Sequence, residues 1–308
     1  MRGRILNRIK IWRNQIGYWF AAKTNQPSSD PLFASFDWIV QPEPLTGRDV
    51  CLLVSWSPEP RLSEHAIFLA KSWATHGFLV IIVVVKDVPS EFDGSQDLSF
   101  CGGVMVRENI GYDFAAWASA IRLLPDINQA RSLVLANDSV FGPLSNFGSF
   151  IDILNRDQSD IVGTIGSLQN RPHIQSFLIM FKGKSLRHRA FVRFWNNVRN
   201  GDREWAIKNY ELRLQDYFMS SGLSVSALYP APKGLPSNTN PGLTMWRSLI
   251  EQGFPFVKVQ LLRDNPMNTD LTGWQTCLSD HGYDPSIVQR YLDQSANRQE
   301  RSLRQSQR

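Results

Sequence analysis

The chain has little of what holds small secreted or metal-bound folds together. Its three cysteines, Cys51, Cys101 and Cys277, lie far apart with no CxxC or Cys/His spacing. That excludes a disulfide framework and a thiolate zinc site, and makes the cytosol the expected compartment. The five histidines are scattered without an HExxH. No apolar run approaches the roughly 18 residues of a spanning helix, and Phe78 to Val85 has the length of a core strand. No GxGxxG follows the first strand and no GxxxxGK[ST] occurs, so a dinucleotide fold and a P-loop are both rejected. No internal repeat is visible.

One stretch lacks acid altogether. Residues 1–23 contain six basic residues (Arg2, Arg4, Arg8, Lys10, Arg13, Lys23) and no Asp or Glu, against a formal charge of +5 for the whole chain. The remainder therefore carries about one net negative charge and is no nucleic-acid surface. Ile5, Ile9, Trp12, Ile16, Trp19 and Phe20 share one helical face with Arg4, Arg8 and Arg13 towards the other. This amphipathic helix suits a membrane surface, or its apolar face packs on its own domain. It has neither the unbroken apolar core nor the cleavage site of a signal peptide. Residues 24–48 read as a linker, led by the polar Pro/Ser stretch 24–32.

What is present in quantity is βα alternation. With 43% apolar and 20% charged residues in 308, the composition is that of an ordinary globular protein. Val50–Val54 is a strand; Ala66, Leu69, Ala70 and Trp73 form a helical face closed at His76-Gly77; Phe78–Val85 is a second strand. Val104–Val106, a helix through Phe114, Trp117, Ile121 and Leu124, and Leu133–Ala136 continue the pattern. Such alternation predicts a mostly parallel, Rossmann-type sheet flanked by helices. Further helices and strands carry this domain from residue 49 to 266. A helical extension is expected at 267–293 and a disordered Gln/Arg/Ser-rich tail at 294–308.

Strand ends are where such sheets bind ligands. After Val106 come Arg107, Asn109, Gly111 and Asp113 at alternate positions, with Asp113 placed to be the N-cap of the next helix. After Ala136 come Asn137, Asp138 and Ser139. A carboxylate between Asn and Ser suits a hard cation with oxygen ligands, and through it a phosphate. The same residues serve equally as turn and capping residues. Asn137-Asp-Ser139 also fits a glycosylation sequon, which would matter only in a secreted chain.

These motifs together resemble the rhamnan synthesis protein F family of bacterial polysaccharide glycosyltransferases, over about Val50 to Pro266. The resemblance rests on Arg-Glu-Asn-Ile-Gly-Tyr-Asp-Phe at 107–114, Asn-Asp-Ser-Val-Phe-Gly-Pro at 137–143, His-Ile-Gln-Ser at 173–176, Tyr-Glu at 210–211, and the Trp246 to Pro266 stretch. It implies a GT-A-like fold and transfer of a sugar, rhamnose in the name-giving members, from a nucleotide diphosphate sugar. It also implies a divalent cation, Mg or Mn, held by an Asp-x-Asp-like motif. Ala136-Asn137-Asp138 occupies that place with Ala for the first Asp, leaving Asp138 as the one carboxylate ligand. Arg107, Asn109, Gly111 and Asp113, with Asn137 and Ser139, fall where related transferases contact the donor. Glu211 resembles in placement the base of inverting enzymes, and equally a helix-start Glu favoured by the dipole. His173 and Gln175 are expected on the acceptor side, or His173 is structural. Arg263 and Asp264 are expected there too, or pair with each other. Trp117 is expected in the core.

The leading expectation is thus an inverting transferase acting on a glycan or lipid-linked glycan. It would be cytoplasmic, peripheral at the inner face of the cell membrane, and held there by the amino-terminal helix. The alternatives are a non-catalytic sugar-nucleotide-binding or scaffold subunit of a glycan-assembly complex and, third, a membrane-associated interaction protein.

Overall fold

The computed structural model describes residues 29–306; the amphipathic helix expected at 1–23 lies outside them. The strands are β1 Phe36–Val40, β2 Asp49–Trp56, β3 Leu79–Lys86, β4 Gly103–Glu108, β5 Ser132–Asn137, β6 Val140–Phe141, β7 Ile161–Ser167, β8 His173–Ile174, β9 Leu178–Lys182, β10 Val225–Tyr229 and β11 Val257–Lys258. The main sheet runs β1-β4-β3-β2-β5-β9-β7-β10, with β8 beside β7. Strands β4, β3, β2 and β5 are mutually parallel, as are β7 and β10. β1 and β9 run antiparallel to their neighbours. The result is a mixed α/β fold around a mostly parallel sheet.

Period-two alternation explains why the central strands are apolar throughout. Leu79, Ile81, Val83 and Val85 of β3 enter one core with Val50, Leu52 and Val54 of β2. Val80, Ile82 and Val84 enter the other with Cys51 and Leu53. Helices Tyr112–Leu123 and Arg189–Asn196 cover the first face and Glu64–Thr75 and Phe147–Arg156 the second. Trp73 and Trp117 are wholly buried, one in each layer, each contributing on the order of 2–3 kcal/mol by burial. Trp117 is core, as its spacing suggested.

Four segments differ from the sequence expectation. The linker expected at 24–48 holds an edge strand: β1 pairs with β4 from Phe36↔Arg107 to Val40↔Val104. The single strand read over 173–181 is two, β8 and β9, because the chain turns at Gln175–Phe177. The helix read from Trp205 contains a π turn at Ile207–Glu211. The tail expected to be disordered from 294 continues the last helix, Pro285–Ser306. Asp284 caps its start by accepting from Ser286 N–H at 2.8 Å. Ile287 and Val288 are buried beneath it, and Arg290 pairs with Glu64 at 2.7 Å. Gln and Arg are good helix formers, so an anchored first half propagates.

Candidate functional site

The carboxyl ends of β2 and β5 lie side by side, with Val54 opposite Asn137 in the parallel register. Asp138 follows directly. Its Oδ2 accepts from Ser55 Oγ at 2.6 Å, and its carbonyl accepts from His65 Nε2 at 3.0 Å. Burial pushes its carboxyl up to about 7; the Ser55 bond opposes this and the nearby Asp113 charge adds to it. Asp113 is likewise raised, to about 6, by burial, with the Asn137 bond lowering it and the Glu211 charge raising it. Asn137 Nδ2 donates to Asp113 Oδ2 at 2.7 Å, while its Oδ1 accepts from Ser139 Oγ at 2.6 Å. Asn137 thus ties the two halves of the 104–144 stretch together.

Asp113 is not the N-cap. Gly111 takes that position, left-handed at φ 83, and Asp113 lies in the first turn with its side chain turned to β5. A Cβ at Gly111 would meet Ala115 Cβ at 2.6 Å and Asn200 Oδ1 at 2.7 Å, so its role is close packing.

Glu211 ends the π turn, which departs from its expected place at a helix start. Such a turn inserts a residue and re-aims the side chain. Its Oε1 accepts from the Ser176 N–H at 3.2 Å, and its charge reaches both Asp113 and Lys258. Lys258 is the functional candidate that sequence reasoning missed. The two-residue ribbon of β6 and β11 sets Lys258 opposite Val140, and Val259 N–H donates to the Ser139 carbonyl at 2.9 Å. The ammonium lies 4.5 Å from the Phe177 ring centre. Burial lowers it to about 8, with Glu211 opposing and Arg203 adding to the shift. Its only sequence signal was a lone Lys in the apolar run Phe254–Leu262.

Gln175 is buried beside these groups. Its Nε2 donates to Asn240 Oδ1 at 2.9 Å, and its Oε1 has no partner among the described residues. His173, also buried, bonds the Arg171 carbonyl through Nδ1 at 2.8 Å. Arg263 and Asp264 form the mutual pair that was the alternative reading, at 2.9 and 2.8 Å. Arg263 also bonds Tyr291, whose hydroxyl senses the Asp138 charge.

Two expected donor contacts are placed elsewhere. Asn109 is exposed and bonds Asp87 Oδ1 at 2.8 Å. Arg107 is 0% exposed. Its guanidinium donates to Ser119 Oγ and to the carbonyls of Glu108, Ile110 and Pro31 at 2.8–3.2 Å. It therefore cannot face a diphosphate in this structure; segment 29–35 folding over the end of β4 encloses it. Arg107→Ala should orphan several buried carbonyls and cost about 3 kcal/mol or more. That corresponds to a thermal midpoint lower by roughly 6–12 °C in a scanning melt, with nucleotide binding retained at low temperature.

The donor set can be tested against a divalent cation. Among the described residues no three His, Cys, Asp or Glu side chains group closely enough to cage one. Two carboxyls held above their ordinary range by burial and by a neighbouring carboxylate, Asp113 beside Asp138 and Glu211 beside Asp113, nonetheless suit Mg²⁺ or Mn²⁺ carried in on a diphosphate. Magnesium is commonly held by one or two carboxylates, substrate phosphates and waters. Asp138 would be the principal ligand. Among the described residues no helix is long and apolar enough to cross a membrane.

A family model described as rhamnan synthesis protein F matches residues 64–303. The chain is 29% identical over 199 residues to the virulence protein VirA of Vibrio anguillarum, covering 54% of this chain and 64% of that one. It is 25% identical over 238 residues to the uncharacterized protein y4gN of Sinorhizobium fredii, covering 75% of this chain and 61% of that one. The chain thus spans somewhat under two thirds of the length of these relatives. Among solved structures, the glycosyltransferase GlyE of Streptococcus pneumoniae aligns at 11% identity and a TM-score of 0.37, over 80% of this chain and 65% of that one.

Proposed function

The chain belongs to the rhamnan synthesis protein F family, and from that premise we propose that it is an inverting glycosyltransferase. It would take a hexose or deoxyhexose, rhamnose being the first candidate, from a nucleotide diphosphate sugar to a growing cell-surface glycan. The observation that carries this reading is the run of charged groups that starts at the carboxyl ends of β2 and β5, in which Asp138 feels the charge of Asp113, Asp113 that of Glu211, and Lys258 that of Glu211.

The reaction needs charge compensation for the leaving diphosphate and a base for the acceptor hydroxyl. A cation held by Asp138 would supply the first as a Lewis acid. Lys258 adds positive charge beside it, and Asn137 and Ser139 add hydrogen-bonding groups. The acceptor oxygen attacks the anomeric carbon, the bond from that carbon to the diphosphate breaks, and the hydroxyl proton passes to Glu211. Gln175, whose Oε1 has no partner among the described residues, accepts from a neighbouring hydroxyl of the acceptor sugar and so orients it. The setting at the cytoplasmic membrane surface belongs to this same proposal and rests on the basic, amphipathic pattern of residues 1–23.

Calorimetric titration of nucleotide diphosphate sugars with magnesium, manganese or chelator tests the reading directly. Tight binding of one of them by folded protein, followed by turnover with an acceptor, is expected. Absence of binding to every nucleotide would overturn it and favour a scaffold. Lys258 gives a second test. Its ammonium is charged below pH 8 and neutral above, so nucleoside diphosphate affinity should fall about tenfold between pH 7 and 9. Lys258→Met should bind weakly at both ends of that range and show no such slope.

A further inference from the structure

A cavity of about 580 Å³ lies between the loop that follows β2 and the last helix, lined by Arg61, Arg298, Arg301, Gln294, Asn297 and the acids Glu59 and Asp93. Gln294, Asn297, Arg298 and Arg301 recur at i, i+3, i+4 and i+7, so one polar face of the helix points at it. The opposite wall is built rather than loose. Ser57 Oγ donates to the carbonyls of Glu59 and Arg61 at 2.9 and 2.6 Å. The buried Lys86 ammonium donates to the carbonyls of Ser57 and Glu59 at 3.3 and 2.8 Å.

Three guanidinium groups face two carboxylates here. Arg61 is held by Asp93 at 2.7 Å. Arg298 approaches Glu59 only at 3.4 Å. Arg301 pairs with no acid among the described residues. Positive charge in excess, a planar fork on each arginine and two amide side chains make a phosphate receptor. The cavity adjoins the Asp138 site, although Asp138 does not line it. The Tyr291 hydroxyl senses the charges of both Asp138 and Arg298, and Arg298 lies seven residues, about 10 Å, further along the helix axis. The exposed Trp56 and Val88 adjoin the two loops that line the cavity and offer apolar surface beside the anion site.

We propose that this cavity is a second phosphate subsite, which takes the phosphate or diphosphate of a lipid-linked acceptor rather than that of the donor. Its role in catalysis rests on the transferase reading; its chemistry does not.

The test is calorimetry on the full chain with chelator present, using inorganic pyrophosphate and decyl diphosphate as probes. Three proteins are compared: wild type, Arg298→Gln/Arg301→Gln, and Arg156→Gln/Arg193→Gln, which removes the same charge from exposed positions elsewhere. Circular dichroism confirms that each is folded. Wild type and the control pair should bind both probes, decyl diphosphate at least as tightly as pyrophosphate. The cavity variant should lose about tenfold in affinity or more. Equal binding by wild type and cavity variant, equal loss in the control pair, or no binding by wild type would overturn the subsite. Rejection of decyl diphosphate with retention of pyrophosphate would overturn its assignment to a lipid-linked ligand. Nucleotide-sugar binding with magnesium is measured on the same preparations. If wild type lacks it yet binds decyl diphosphate through the cavity arginines, the transferase reading fails while the subsite stands.

Discussion

Asp138→Asn is expected to weaken magnesium-dependent binding of the nucleotide sugar about 100-fold, roughly 2.7 kcal/mol, while leaving the protein more stable rather than less. The loss follows from removing the one carboxylate at the end of β5 that can hold a cation on the diphosphate. The gain follows from where that carboxylate sits. Its folded-state pKa is raised to about 7, chiefly by burial, so ionising it costs folding free energy. Below its unfolded value, near 4, the carboxyl is protonated in both states and costs nothing. As pH rises to about 7 the unfolded chain releases the proton first, and the native state loses stability until it ionises too. In metal-free protein the variant's advantage should therefore be absent below pH 4, grow to pH 7 and then hold, at about 1–3 kcal/mol. Asn keeps an oxygen for the Ser55 bond, so packing changes little. Thermal melts from pH 4 to 8 with chelator, beside titrations with magnesium, read both quantities. A variant that binds donor normally, or is destabilised at pH 8, would show that Asp138 is a structural turn residue.

The place of Asp138 just past a strand end was legible because its signal is local. The strands β2 to β5 are parallel and covered on both faces, so they appear as apolar runs ending abruptly in polar residues. Asn137-Asp138-Ser139 is such an ending. Arg107 follows the same local rule and is nevertheless enclosed, because a segment more than 70 residues earlier folds over it: Pro31 accepts from both Arg107 and Ser119. Alternation along a strand says which residues share a face, not what covers that face. Lys258 was illegible for the converse reason. It is brought to the site by a ribbon of two-residue strands, too short to leave any periodicity. β1 was hidden by its place at the sheet edge, where four of its five residues are exposed and no buried face imposes a pattern. The last helix was hidden by composition, since its Gln/Arg half has no apolar stripe and depends on the anchored turns before it.

Glu211→Gln should separate chemistry from binding. Gln retains an oxygen for the Ser176 N–H, so the π turn and the wall it forms should persist and donor affinity should change less than about threefold. What disappears is a group able to accept the acceptor's proton. General-base catalysis contributes typically 10²–10⁴-fold, so kcat should fall by about that factor at unchanged KM for the donor. The same substitution has an electrostatic signature that a purely structural residue would lack. Glu211's charge helps hold Asp113 high and Lys258 charged. Without it, both groups should titrate at lower pH. The fall in nucleoside diphosphate affinity associated with Lys258 should then begin below pH 8 rather than near it. Single-turnover transfer assays and pH titrations of binding, on the same variant, measure the two effects independently. A kcat within a few-fold of wild type would remove Glu211 from the role and leave Asp113, a carboxyl that burial holds above its ordinary range, as the base to substitute next. A large fall in kcat with the Lys258 profile unmoved would mean that Glu211 acts only by shaping the helix, and that its side chain does not face the reacting groups.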